Sequence, residues 1–150
     1  MLEISNYHLT RKQEQFEKMN IQEKEQKDFV ELEESKTDYT ILRKNLTHYA
    51  LKTLSENIDS EYPQRIFETG RVFNIKNNEI VEEEKLSSAI APGNYTEIKQ
   101  IIEYFSRMLG ITLLVQEPKQ IPSNFIDGRC AEILLEGKHI GFIGEIHPRI

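Results

Sequence analysis

Apolar positions along this chain recur at two spacings. Between Tyr95 and Leu109, the residues Ile98, Ile101, Ile102, Phe105, Met108 and Leu109 fall on one helical face. Asn94 and Glu97 have the spacing of a capping box before it, and Gly110 is placed as the carboxy cap. A second helix is expected after the cap-rich stretch Glu33 to Asp38, with Leu42, Leu46, Tyr49, Ala50 and Leu54 as its apolar stripe. Thr10-Arg11-Lys12-Gln13 reads as another capping box, opening a short helix with Phe16 and Met19 on one side. Strict alternation marks strands instead. RIFETGRVFN, residues 65–74, is the strongest, and Gly70 within it signals a bulge or a close backbone approach. Asn77-Asn78 is a turn signal, Lys85 to Ala91 the expected return strand, and Glu82, Glu83 and Glu84 then lie on an acidic hairpin tip. Shorter strands are expected at 2–9, 29–32, 111–117, 130–135 and 139–146, the last two joined by a turn at Glu136-Gly137-Lys138. The polar run Asn20 to Asp28 reads as a solvated connection. Frequent hairpins with few helices predict an α+β chain, one domain over 1–150, with a largely antiparallel sheet and helices on one face.

Charge and composition narrow the function classes. The 150 residues carry 25 acidic and 19 basic side chains, a net charge of −6. No window gathers the Lys and Arg of a basic patch, which argues against autonomous binding to nucleic acid. No apolar run approaches the roughly 20 residues of a membrane span. The start, MLEISNYHLT, lacks the basic and apolar regions of a secretory signal. One cysteine, Cys130, excludes an internal disulfide and a multi-cysteine zinc site. A cytoplasmic protein without membrane contact is the expectation.

The candidate chemistry is sparse. His8, His48, His139 and His147 include no pair at metal-ligand spacing, so surface or turn positions are expected for them and no metal site. Cys130 is expected to be a buried, inert thiol. Adjacent carboxylates at 82–84 point to alternate faces of a strand and do not share one cation. Glu145, beside Gly144, has the chemistry of a general base but no evident partner. No phosphate-binding, dinucleotide-binding, nucleophile-elbow or zincin string occurs. The residues by themselves predict a soluble α+β domain.

Four longer strings are more specific. They are EISNYHLTRKQEQFEKM near the start, the stretch from Val30 through Tyr39-Thr40-Ile41-Leu42-Arg43 to Leu46, YPQRIFETGRVF at 62–73, and NYTEIK onward to GRCAEILLEGKHIGFIGEIHPRI. In this order and spacing the chain resembles the beta subunit of phenylalanyl-tRNA synthetase, of the archaeal and eukaryotic type, over nearly its whole length. The resemblance implies a class II aminoacyl-tRNA synthetase-like core, an antiparallel sheet flanked by helices, degenerate and truncated. It also implies a fragment incomplete at both ends of a longer subunit, whose magnesium-binding acids and editing region lie elsewhere.

The functional expectations are likewise implied by the resemblance. In that family two alpha and two beta subunits attach phenylalanine to its tRNA, using ATP and magnesium, and the alpha subunit holds the active site. Active class II cores continue the strand resembling RIFETGRVF into F-R-x-E, whose arginine contacts the ATP α-phosphate. Here Asn74 stands at the arginine position and Lys76 at the glutamate position. Asparagine supplies no charge to a phosphoryl transition state. The expectation is a non-catalytic assembly module with no catalytic, cofactor or metal residues of its own. Its partner is the alpha subunit, tRNA(Phe) is met only through the full assembly, and the isolated chain has a tendency to self-associate. Arg43, Phe67, Arg71 and Phe73 are the candidate subunit contacts. Two alternatives stand beside it: a stand-alone paralogue that activates a small carboxylate with ATP, for which Arg71 or Arg43 would serve, and a protein-interaction domain unrelated to translation.

Overall fold

The computed structural model describes residues 1–150 and divides them into two compact units, Met1–Ala91 and Pro92–Ile150.

The first unit is built on a long hairpin. β4 (Gln64–Lys76) and β5 (Glu79–Ala91) pair antiparallel without a register break, from Gln64↔Ala91 to Lys76↔Glu79. Asn77 and Asn78 both adopt positive φ, 53° and 63°, as a two-residue hairpin turn matched to strand twist requires. β5 therefore begins at Glu79, not at Lys85, and the three glutamates lie within the strand. Cross-strand cations hold them there: Arg71 meets Glu82 and Glu84 on one face, while Lys76 and Lys85 meet Glu83 on the other. β1 (Leu2–Glu3) adds to β4 in parallel, the one departure from antiparallel pairing in this unit.

A second, two-stranded sheet pairs β2 (Leu9–Arg11) with β3 (Tyr39–Leu42). Two helix expectations fail at this sheet. Thr10 is fully buried in β2 and caps nothing, so α1 (Lys12–Phe16) starts without a side-chain cap. Leu42 is a strand residue, paired with Leu9 and hydrogen-bonded to Val30. α3 (Thr47–Glu56) starts only after it, with Asn45 Oδ1 accepting from Thr47 N at 3.2 Å. Long-range strand pairing overrides both local signals. The polar run holds a one-turn helix, α2 (Glu23–Gln26), and Phe29 to Leu32 contributes an isolated bridge, Glu31↔Ile41. The core gathers Met19, Phe29, Val30, Ile41, Leu46, Tyr49, Ala50, Ile66, Val72 and Phe73.

The second unit matches its sequence signals closely. α4 (Tyr95–Leu109) is capped by Asn94, whose side chain accepts from Glu97 N at 2.9 Å, and ends at Gly110 with φ 68°. β6 (Leu113–Gln116), β7 (Phe125–Leu135) and β8 (Lys138–Ile146) form an antiparallel sheet. Tyr95, Ile98 and Ile102 pack on Ala131, Ile133 and Ile143 of that sheet. Ile101 is half-buried, but the end of the stripe is uncovered, with Met108 68% exposed and Phe105 and Leu109 also exposed, as is Tyr104 beside it. Gly144 is a steric requirement of the β7–β8 pair, because a Cβ there would lie 2.8 Å from both Arg129 O and Phe125 Cδ1. Backbone cannot yield as a flexible side chain does, so Gly144→Ala is expected to cost about 1–3 kcal/mol. Urea denaturation measures it, and a change below a few tenths would refute the steric account.

Candidate functional site

Of the four candidate contact residues, two lie inside. The Arg43 side chain is 2% exposed, enclosed where the end of β3 meets β4. Its Nη1 donates to Glu68 Oε1 at 2.6 Å and to Asn6 O at 3.2 Å, and its Nε donates to Arg71 O at 2.8 Å. Asn6 completes the cluster by donating to both carboxylate oxygens of Glu68, through N at 3.2 Å and Nδ2 at 2.9 Å. Gly70 is the floor of this pocket, since a Cβ at that position would overlap Arg43 Nη2. The glycine in RIFETGRVF thus marks a close approach, by a guanidinium, and no bulge. Phe73 is also buried, with its ring edge-on to His8 at 5.5 Å and its N donating to Arg43 O at 3.0 Å. Both side chains are buried within the first unit, and Nε and Nη1 of Arg43 are engaged there. Phe67, half-buried, and Arg71 keep accessible surface.

Arg71 is 60% exposed, and its guanidinium is shared by Glu82 at 3.3 Å and Glu84 at 3.2 Å. Asn74 pairs with Val81, and Lys76, one step further along the same face, is held by Glu83. Hydrogen bonds from Lys76 and then Lys85 hold the Glu83 carboxyl below its ordinary range. The hairpin end that the F-R-x-E comparison singles out therefore presents carboxylates beside each cation. Such surroundings repel a polyphosphate instead of collecting it.

Three other expectations resolve. His48 is no surface histidine: it is 3% exposed, 3.9 Å from Glu14, and burial holds it down to about 4. Burial alone would raise Glu14, but hydrogen bonds from Lys52 at 3.0 and 3.1 Å prevail and keep its carboxyl low. Cys130 is half-buried, with its thiol pushed up by desolvation. Glu145 does have partners: Arg129 Nη1 donates to it at 2.6 Å and Tyr95 N at 3.3 Å, which lowers its carboxyl and ties it to the start of α4. A general base needs the opposite tuning. No three His, Cys, Asp or Glu side chains come together as a metal cluster, and no helix is long and apolar enough to cross a membrane. Sequence reasoning missed Glu68 and Glu14. Glu68 was signalled by its phase, since it alternates with the inward residues Ile66 and Val72; Glu14 carried no comparable sign.

Comparison with known proteins gives three findings. A family described as "Phenylalanyl tRNA synthetase beta chain CLM domain" matches residues 1–150. Phenylalanine–tRNA ligase beta subunits of Pyrococcus furiosus and Thermococcus sibiricus are 40% and 39% identical over 154 residues, covering 99% of this chain. The chain spans about a quarter of those relatives, 27% of each. A crystal structure of pyrrolysyl-tRNA synthetase from Desulfitobacterium hafniense superposes with a TM-score of 0.68 at 15% identity, covering 98% of this chain and 53% of that one. A second structure, the PylSc protein of the same organism, gives 0.65 at 14% identity over 92% and 50%. The likeness is one of fold, to about half of each of those chains.

Proposed function

Since the chain belongs to the phenylalanyl-tRNA synthetase beta-chain family, we propose that it is a non-catalytic module of phenylalanine–tRNA ligase, one that supports the alpha subunit's active site. The observation that carries this reading is the ion pairing near the turn of the β4–β5 hairpin, Arg71 with Glu82 and Glu84 on one face and Lys76 with Glu83 on the other. Arg71 is already neutralised on its face, and Lys76, on the face of Asn74, is bound to Glu83, so an ATP phosphate finds neither cation unengaged. ATP, magnesium and tRNA(Phe) enter through the holoenzyme, a cytoplasmic heterotetramer on this reading. The two units are read together as one module because the family match covers both. Phe67 and Arg71 are the residues left to touch the partner.

The family match removes the second alternative, a domain unrelated to translation. Nothing in this ion pairing favours the ATP-using paralogue. Sedimentation velocity of the chain with the matching alpha subunit is the test, and one shared, faster boundary is the expected result. Saturable ATP binding by the chain alone, or pyrophosphate exchange with phenylalanine, would overturn the non-catalytic assignment. The exposed end of α4 supports the self-association expected of the isolated chain, which the same runs read from the chain alone.

A further inference from the structure

The sheet face turned away from α4 carries a buried carboxylate with no assigned role. Glu132 lies in the middle of β7, out of phase with Ala131 and Ile133, which pack on α4. Its cross-strand neighbours are Gln116 of β6 and Phe142 of β8, so the three side chains form one row across the sheet. Glu132 is 6% exposed, yet it accepts only one hydrogen bond, from Gln116 Nε2 to Oε1 at 2.6 Å, and meets no cation. A carboxylate this deeply buried is disfavoured unless a cation compensates it. Its second oxygen is not sealed off: the sealed, unpartnered polar atoms of the chain belong to Thr10, Arg11, Gln15 and His48. Gln116 donates through its amide nitrogen, which leaves its carbonyl oxygen able to accept. Phe142, the third member of the row, lies beside the His139 ring at 4.6 Å and the Phe125 ring at 6.5 Å.

The geometry points to a receptor for a cationic nitrogen group, with Glu132 Oε2 and Gln116 Oε1 as acceptors and the Phe142 ring alongside. Two acceptors beside an aromatic ring suit a planar guanidinium better than a hydrated ammonium. The cation comes either from an arginine of a neighbouring subunit or from a free guanidinium compound. The site itself does not rest on the assembly reading, so the two fail separately.

The test monitors the Gln116 side-chain amide by 1H–15N NMR while methylguanidinium chloride is added to the whole chain. A saturable shift is expected that sodium chloride at matched ionic strength does not reproduce. Glu132→Gln is expected to weaken it about tenfold, the loss of one charge-assisted hydrogen bond. Gln116→Leu, read on the Glu132 side-chain carboxyl, replaces that variant if it fails to fold. No specific shift, or equal affinity in the variant, overturns the proposal. With the alpha subunit bound, loss of the methylguanidinium response assigns the site to an arginine of that subunit, and persistence assigns it to a free cation.

Discussion

Arg43→Ala is expected to destabilise the first unit by about 3–5 kcal/mol, the cost of leaving one partner of a buried ion pair behind. Glu68 would remain enclosed with only the Asn6 donors. Arg71 O and Asn6 O would each lose the donor they now have in Arg43. For a chain of this size the change corresponds to a melting temperature lower by roughly 10 °C. The double variant Arg43→Met/Glu68→Leu should recover part of that loss, since removing both charges removes the unpaired carboxylate. A single variant within about 1 kcal/mol of the parent, on the scale of exposed pairs, would show that the pair is solvated. The pair matters for the proposed role because it fixes the β4–β5 hairpin, and with it Phe67 and Arg71, against the end of β3.

Stability should also fall as pH drops through the histidine range. Burial holds His48 neutral to about pH 4, while the unfolded chain takes up its proton near 6.5. Glu14 opposes that depression, and Lys52 and Lys18 reinforce it. A base whose folded pKa is depressed lets the unfolded state bind more protons between the two values. The stabilisation is complete above about 6.5, declines as pH falls, and is spent at about 4, with a total of about 3 kcal/mol. Urea unfolding at about pH 7 and about pH 4.5 measures most of this, and His48→Gln should flatten the difference. Glu14, also held low, adds a further loss below its ordinary range in both proteins, so the comparison isolates the histidine. An imidazole resonance that titrates near 6.5 in the folded chain would overturn the prediction.

The parts of the fold legible in the sequence are those whose signals are local. α4 announced itself through its apolar period, Asn94 cap and Gly110, and both hairpins through their turn residues. Even there the stripe on α4 predicted a face without its cover, since Ile98 is packed and Met108 is not. Around Thr10 and Leu42 the local signals pointed to helix, and the β2–β3 pairing, made between residues far apart in the chain, prevailed. The same limit applied to the site. Arg43 follows β3 and Arg71 lies within β4, and nothing in their neighbours along the chain says that one is sealed and the other open.

By itself the sequence determined the family, the turn of the β4–β5 hairpin, and a special backbone position at Gly70. These come from the order of residues or from steric needs of single positions. Tertiary structure alone decided that Arg43 is an internal strut, that the three glutamates are strand residues bound to cations, that His48 is buried, and that Glu132 lies enclosed without a cation. The physical reason is the same in each case. The state of a charged side chain depends on which distant groups exclude water from it and which opposite charges reach it, and only the folded chain brings those groups together.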